Sequence, residues 1–281
     1  MKRIVSIQDI SCIGKCSLTV ALPIISAAGI ETAVLPTAVL STHTAFAGGF
    51  TFRNLTEDLV PVSEHWKKEG FKFDAIYTGY LGSFEQLKIV SDFFDDFKDK
   101  NTVIIADPAM ADNGELYKGF TEKFARSMAC LCAKADIILP NLTEACFMLG
   151  KEYIATGYKK EYIEEILKEL TETGPRYAAL TGMSFDDSKL GVMCYDKVQD
   201  KFFEYYNERI PVSFHGTGDI FASSFTGALM NDLSVNEALK VAVDYTVECI
   251  RKTVAEDNYN WYGVNFEQAI PEYVKLLGKI S

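Results

Sequence analysis

The chain has 281 residues, 48% of them hydrophobic, and a formal net charge of −11. This length and apolar content allow a large buried core in one or two domains. The negative charge argues against a protein that binds nucleic-acid backbones, because such a protein needs a basic face. No apolar run approaches the roughly 20 residues that cross a bilayer, so no membrane partner is expected.

The cysteines and the first residues bear on the compartment. The seven cysteines are odd in number and have no metal-binding spacing, which predicts free thiols. The opening MKRIVSIQDI turns polar too quickly for a signal peptide and predicts a strand instead. We therefore expect a cytoplasmic protein.

Strand-like and helix-like segments alternate along the chain. Predicted strands cover residues 2–8, 31–40, 74–78, 103–106, 137–139 and 177–180, and residues 191–210 predict a hairpin that turns near Asp200. Predicted helices cover residues 16–28, 56–69, 84–98, 119–133, 142–149, 161–170, 220–230 and 235–254, with a short last helix from residue 270. Capping boxes are predicted at Ser83 with Gln86 and at Ser234 with Glu237.

This alternation predicts a mostly parallel sheet with helices on both faces, in a single domain over residues 1–281. Ligands of such sheets bind beyond the carboxyl ends of the strands. Polar residues fall there at seven places: Asp9, Thr44, Gly79-Tyr80, Asp107 with Asp112, Asn141 with Glu144, Thr181-Gly182 and the loop that ends in Asp219. Seven polar stops on one predicted edge indicate a binding site.

The segment HGTGD, residues 215–219, ends an apolar run and opens into a helix of small residues. The N–H groups at a helix N-terminus lack intrahelical partners and carry the positive end of the dipole, so they bind anions such as phosphate. Asp219 at this point either caps the helix or takes a proton from a hydroxyl held beside the phosphate. The residues alone leave both interpretations open.

Asp107, Asp112 and Glu144, together with Asn141, offer hard oxygen ligands that suit Mg²⁺. A carboxylate base, a divalent metal and a helix N-terminus are the recurring parts of phosphoryl transfer. The chain has no P-loop motif and no dinucleotide-binding GxGxxG after its first strand, and it also lacks the GxSxG of many hydrolases. These residues therefore offer the parts needed for phosphoryl transfer, in a protein outside the P-loop class.

The chain resembles the ribokinase-like superfamily of carbohydrate and vitamin kinases, and within it the pyridoxal/pyridoxamine kinases. The resemblance is carried, in chain order, by SIQ at 6–8, STHT at 41–44, TGYLGS at 78–83, DPAM at 107–110, PNLTE at 140–144 and GTGD at 216–219. The GTGD segment indicates only the superfamily, whereas STHT and TGYLG point to the vitamin B6 branch. The resemblance implies a three-layer α/β sandwich, a homodimer, and ATP with Mg²⁺; a need for a monovalent cation stays open.

The resemblance also implies roles for individual residues. Asp219 would be the base that deprotonates a hydroxymethyl group, and Gly216, Thr217 and Gly218 would hold the transferred γ-phosphate. Further implied roles are metal binding by Asp107, Asp112 and Glu144, nucleotide binding by Asn141, Glu144, Thr181 and Gly182, and substrate binding by Asp9, Ser11, His43, Thr44 and Tyr80.

One position departs from the better-known B6 kinases, which carry a small hydroxyl residue where this chain has Asp9. Asp9 would accept from the ring hydroxyl, favour a cationic vitamer such as pyridoxamine, or point away and leave the ring contact to Ser11. The alternative functions are a kinase of hydroxymethylpyrimidine or another small alcohol, and a non-catalytic regulator that binds B6 or nucleotide. The flat-ring residues His43, Phe46 and Tyr80 favour a B6 vitamer over a sugar.

Overall fold

A computed structural model describes residues 1–280. Its strands are β1 (Arg3–Ser11), β2 (Glu31–Leu40), β3 (Phe52–Asn54), β4 (Ala75–Thr78), β5 (Val103–Ala106), β6 (Ala111–Asp112), β7 (Glu115–Leu116), β8 (Ile137–Ile138), β9 (Tyr177–Met183), β10 (Lys189–Asp196) and β11 (Lys201–Glu208). Its helices are α1 (Leu18–Ala27), α2 (Thr56–Lys68), α3 (Phe84–Phe97), α4 (Glu122–Cys132), α5 (Leu142–Leu149), α6 (Lys160–Glu172), α7 (Thr217–Leu229), α8 (Val235–Val254) and α9 (Phe266–Leu276).

The chain divides into two compact units. The first unit contains Met1–Ala75 and Asn207–Ser281, and the second contains Ile76–Tyr206. The prediction of one domain over residues 1–281 stays a prediction, and each unit is described by itself.

In the first unit, β1 runs parallel to β2, and β3 pairs antiparallel with β2. Ile4, Val5 and Ile7 of β1 are fully buried, and α7 packs against both α1 and α8. The small residues of α7 permit this close packing: a Cβ built at Gly227 would lie 2.2 Å from the Tyr273 hydroxyl. The N-terminus of α7 is thus carried on a helix that is buried along most of its length.

In the second unit, the strand order is β4-β5-β8-β9-β10-β11. β5, β8 and β9 are parallel neighbours, whereas β10 pairs antiparallel with β9. β10 and β11 form the predicted hairpin, and Asp200 in its turn has a φ of 50°. The short parallel strands β5 and β8 are almost entirely buried, so their ends fix the position of the polar residues that follow them.

The predicted fold class, α/β with a mainly parallel sheet and helices, is confirmed. The bounds of β2, β5 and α8 are those predicted. Ser234 and Glu237 form the predicted reciprocal capping box. Ser83 caps α3 as predicted, but the Gln86 side chain accepts from the Gly82 N–H instead of returning to Ser83.

The predicted ends of two strands were wrong. β1 continues through Asp9 to Ser11, because Ser11 still pairs with Leu40 of β2. β9 continues through Thr181 to Met183, because β10 supplies antiparallel partners for both residues. In each case, pairing with a neighbouring strand continues the strand past polar residues at which the local sequence predicts an end.

Helix α7 begins at Thr217 and not near residue 220. Gly216 is its N-cap, and the Gly216 carbonyl accepts from the Ile220 N–H at 3.0 Å. Smaller differences are that α9 starts at Phe266, ahead of residue 270, and that β3, β6 and β7 were not predicted. All seven cysteines are free thiols, as predicted. No helix within residues 1–280 has the length and apolar content needed to cross a membrane.

Candidate active site

The N-terminus of α7, where the sequence predicts an anion site, lies in the first unit; residues 214–219 are termed the anion loop. Gly216 has a φ of 81° and makes no side-chain cap, while the Thr217 hydroxyl donates to the Phe214 carbonyl at 3.3 Å. The interpretation of Asp219 as the N-cap is therefore wrong, because Gly216 holds that position. Asp219 lies in the first turn of the helix, where backbone N–H groups lack intrahelical partners.

Residues 12–17 are termed the supporting loop. The loop contacts the backbone near Gly216, the backbone near Gly263 and the His43 side chain, and at each contact a glycine allows the close approach. A Cβ at Gly216 would lie 2.0 Å from the Lys15 carbonyl oxygen, and a Cβ at Gly263 would lie 2.7 Å from the Lys15 Cβ. Within the loop, a Cβ at Gly14 would lie 2.3 Å from His43 Cδ2. Since real Cβ atoms do not come so close, each contact requires glycine at that position.

The supporting loop has an unfavourable backbone conformation. Gly14, Lys15 and Ser17 have φ values of 131°, 54° and 55°. The two non-glycine residues cost roughly 1–3 kcal/mol each, so surrounding contacts must hold them in place. Lys15 Nζ donates to Asn265 Oδ1 at 3.0 Å and pairs with Glu267 Oε2 at 2.9 Å.

Asp9 holds the other end of this loop. Its side chain is buried, and Ser17 Oγ donates to Asp9 Oδ1 at 2.6 Å while Ser11 Oγ donates to Asp9 Oδ2 at 2.9 Å. Burial raises the pKa of the Asp9 carboxyl, and the two serine hydrogen bonds oppose that shift. Sequence reasoning did not identify Ser17, because its role depends on a bond to a residue eight positions earlier.

The Cys16 thiol lies near the carboxyl groups of Asp9 and Asp219. Burial raises its pKa well above the usual range, and the charges of Asp219 and Asp9 add to the shift. The structure therefore brings two predicted site residues, Asp9 and Asp219, to the same loop.

His43 is buried, with both ring nitrogens engaged. Nδ1 accepts from the Ala45 N–H at 3.2 Å, so Nε2 carries the proton and donates to the Tyr262 carbonyl at 3.1 Å. Burial, followed by the neighbouring His215, lowers the pKa of His43. His43 thus joins its own loop to residues near 262, while Thr44 beside it is exposed.

The segment between α8 and α9 was not predicted to have a role. Its Trp261 is 53% exposed, and the indole centroid lies 4.8 Å from that of Phe46. The Phe46 and His215 rings each lie 4.8 Å from His43. An aromatic cluster therefore adjoins the first residue of the GTGD segment. The run NYNWYG at 258–263 is the signal that could have indicated it.

In the second unit, Asn141 and Glu144 form a capping box at the start of α5. Asn141 Oδ1 accepts from the Glu144 N–H, and Glu144 Oε2 accepts from the Asn141 N–H, each at 2.9 Å. Glu144 Oε1 also accepts from the Met110 N–H at 2.9 Å, and Asn141 Nδ2 donates to the Ala111 carbonyl at 2.8 Å. Both residues therefore hold the 110–111 backbone as well as the helix.

Asp107, which is half-buried, and Glu144, which is buried, form an acidic pair. Burial raises the pKa of both carboxyls, and the charge of Glu144 further raises the pKa of Asp107. Asp112 is exposed and accepts from the Asn113 N–H at 2.9 Å. Among residues 1–280, no group of three His, Cys, Asp or Glu side chains is arranged to hold a metal ion.

The acidic pair nevertheless fits a magnesium ion. Two adjacent carboxylates repel each other, and a cation would relieve that repulsion. Mg²⁺ is usually held by one or two carboxylates, with water and substrate phosphates as its other ligands.

Of the remaining predicted residues of the second unit, Thr181 and Gly182 lie within β9, and Tyr80 follows β4. Thr181 pairs with Asn141 through an isolated parallel bridge, and the Thr181 N–H donates to the Pro140 carbonyl at 3.0 Å. Gly182 has a φ of 70° and open space where a Cβ would lie. Tyr80 stacks on Phe120 with a centroid distance of 5.5 Å.

Each unit, taken by itself, carries a feature that phosphoryl-transfer enzymes use: a glycine-capped helix N-terminus in the first and an acidic pair in the second. The family described as phosphomethylpyrimidine kinase matches residues 22–262, and the chain belongs to this family. The resemblance to pyridoxal kinases of the ribokinase-like superfamily and the prediction of a kinase are confirmed.

Two solved structures are similar to nearly the whole chain. A Bacteroides thetaiotaomicron protein described as a phosphomethylpyrimidine kinase, crystallised with pyridoxal, is 38% identical with a TM-score of 0.92, over 97% of this chain and 95% of that one. Pyridoxal kinase from Lactobacillus plantarum is 27% identical with a TM-score of 0.90, over 98% of both chains. Among curated proteins, the chloroplastic thiamine biosynthetic bifunctional enzyme TH1 of Arabidopsis thaliana is 30% identical over 64% of this chain, and the match spans 34% of that longer protein.

Proposed function

We propose that the protein transfers the γ-phosphoryl group of ATP to the 5′-hydroxymethyl group of a vitamin B6 vitamer: pyridoxal, pyridoxamine or pyridoxine. The observation that carries the proposal is the start of α7, where the N-cap is a left-handed glycine without a side chain and Asp219 lies in the first turn. This arrangement leaves backbone N–H groups for an anion and sets a carboxylate beside it.

In the proposed reaction, Asp219 accepts the proton of the substrate hydroxyl as its oxygen attacks the γ-phosphorus. The new bond joins that oxygen to phosphorus, the bond to the β-phosphate oxygen breaks, and ADP leaves. The N–H groups at residues 216–218 stabilise the charge on the transferred group. Asp219 acts on the hydroxyl alone, so its removal affects turnover more than nucleotide binding.

Asp107 and Glu144 are the residues we assign to Mg²⁺, with Asp112 as a weaker candidate because it is exposed. Mg²⁺, when bound, would neutralise charge on the ATP phosphates. We assign Asn141, Thr181 and Gly182 to the nucleotide. A homodimer and a cytoplasmic location remain expectations, as does a role for a monovalent cation.

For the vitamer ring, we assign Ser11, Thr44 and Tyr80 as contacts. His43 uses both ring nitrogens on the backbone, so it would shape this pocket without bonding to the ring. The aromatic rings of Phe46 and Trp261 support a flat ligand over a sugar.

The test is steady-state phosphorylation by MgATP of pyridoxal, pyridoxamine, pyridoxine and hydroxymethylpyrimidine. We expect kcat/KM for at least one B6 vitamer to exceed that for hydroxymethylpyrimidine by about tenfold or more. Turnover of hydroxymethylpyrimidine alone would contradict the proposal and favour the reaction after which the family is named. Nucleotide binding without turnover of any of the four would favour a non-catalytic regulator.

A further inference from the structure

The position of the anion loop depends on the supporting loop, because the N-cap Gly216 packs directly against the Lys15 carbonyl. A Cβ at Gly216 would lie 2.0 Å from that oxygen, so the two backbones are in contact. Any displacement of Lys15 would therefore move the first turn of α7 and with it Asp219.

The supporting loop is in turn held against its own backbone preferences. Lys15 and Ser17 both have left-handed φ values, and the Ser17 N-cap of α1 makes no side-chain bond to its own helix. Its hydroxyl donates instead to Asp9 Oδ1 at 2.6 Å. A left-handed serine that gives its hydroxyl to a buried carboxylate is fixed by that bond.

Asp9 is suited to this role. Its side chain is 3% exposed, and both carboxylate oxygens accept from serine hydroxyls. Asp9 lies within β1, whose pairing with β2 continues on both sides of it, so the carboxylate is anchored to the sheet.

We propose that Asp9 is a positioning residue for the phosphate-binding end of α7, acting through Ser17 and the Lys15 carbonyl on Gly216. The inference deepens the proposed function, on which it rests for its kinetic readout. It assigns Ser17 a role in turnover and gives Asp9 a task other than contact with the vitamer ring.

The cleanest variant is Ser17→Ala, which removes one hydroxyl and leaves the Asp9 bond with Ser11. Because misplacement by about 1 Å costs on the order of a hundredfold in rate, we expect Ser17→Ala to lower kcat about tenfold. The KM for the vitamer should stay within about threefold, since no ring contact is lost. Ser26→Ala, on the exposed face of the same helix, is the matched control and should leave kcat unchanged.

A double-mutant cycle then separates the two roles of Asp9. If Asp9 acts through Ser17, Asp9→Asn combined with Ser17→Ala should lower kcat little more than Asp9→Asn alone. Multiplicative effects, or a tenfold rise in vitamer KM with Asp9→Asn and unchanged kcat with Ser17→Ala, would overturn the inference and make Asp9 a substrate contact.

Hydrogen–deuterium exchange of the substrate-free protein gives a readout independent of activity. Ser17→Ala should raise deuterium uptake in peptides covering residues 214–219 and leave residues 142–149 unchanged. Unchanged uptake at 214–219 would refute the positioning role. If the wild-type protein turned over no vitamer, the proposed function would fail, whereas the exchange result would still decide the inference.

Discussion

In the first unit, the anion loop rests on a supporting loop whose Lys15 and Ser17 adopt left-handed conformations, whereas in the second unit Asn141 and Glu144 form a regular capping box. The first region depends on contacts between segments far apart in sequence. The second combines a local capping box with hydrogen bonds from the same two residues to the 110–111 backbone, and it concentrates negative charge. The first should therefore be sensitive to changes of shape, and the second to changes of charge.

The largest effect is expected for Asp219→Ala in the first region. The variant should lose about three or more orders of magnitude in kcat while ATP binding, measured by calorimetry, stays within a few-fold, because the carboxylate would act only on the reacting hydroxyl. Asp58→Ala is the control, since Asp58 lies in the first turn of α2. If both variants lowered kcat only slightly and by a similar factor, Asp219 would act only as a favourable charge at a helix N-terminus.

Gly216→Ala tests the contact between the anion loop and the supporting loop. The new Cβ would meet the Lys15 carbonyl, so the backbone must shift in addition to adopting an unfavourable φ. We expect the free energy of unfolding in urea to fall by about 2 kcal/mol more than in Gly70→Ala, with kcat reduced about a hundredfold. Gly70 has a φ of 72° but no atom near its Cβ position, so Gly70→Ala measures the cost of the unfavourable φ alone. Equal losses of unfolding free energy in the two variants would mean that the Lys15 carbonyl moves aside at little cost.

Asp107→Asn tests the charge of the second region. Removing the half-buried carboxylate next to the buried Glu144 relieves their repulsion, so the metal-free protein should gain stability, by about 1 kcal/mol. The same variant should need about tenfold more Mg²⁺ for half-maximal activity. Asp187→Asn, on the surface of the same unit, should change neither quantity. A gain in stability without a change in the Mg²⁺ requirement would show that Asp107 does not bind the metal.

His43 in the first region should make the stability of the protein depend on pH. The pKa of His43 is lowered in the folded state below its ordinary value of 6.5, so the unfolded chain binds more protons on acidification. Stability from this residue is therefore present at neutral pH and lost as the pH falls through 6.5 and below. His43→Gln, which keeps a donor for the Tyr262 carbonyl, should flatten the fall of Tm between pH 7.5 and 5.5 (about 1 °C or more). His65→Gln, at the surface, should leave the slope unchanged, and an unchanged slope in His43→Gln would place the acid-sensitive group elsewhere.

The smallest effect concerns vitamer preference. With both Asp9 oxygens bonded to serines, Asp9→Ser should lower kcat/KM for pyridoxamine and pyridoxal in the same proportion, their ratio staying within about twofold. A ratio shifted tenfold toward pyridoxal would show instead that Asp9 selects a cationic substrate.

The predicted site residues differ in how far sequence could define them. Asp107 and Glu144 were identified from oxygen ligands after a buried strand, and the structure does place them as neighbours. The hydrogen bonds that Glu144 accepts from the N–H groups of residues 110 and 111 were not foreseen, because those partners lie more than 30 positions from Glu144. Asp9 and His43 were selected as polar residues near a predicted ligand, but hydrogen bonds to Ser17 and Tyr262 account for their polarity.

The α/β class, most helices and strands, the free thiols and the glycine-bearing segment before α7 could all be predicted from the amino-acid sequence. These features follow from periodicity, capping residues and turn residues, which act over a few positions. Three features became visible only in the folded chain: Gly216 is the cap, β1 extends through Asp9, and Lys15 supports the anion loop. Each of these depends on a partner backbone or side chain from another segment, and local sequence carries no record of which segment that will be.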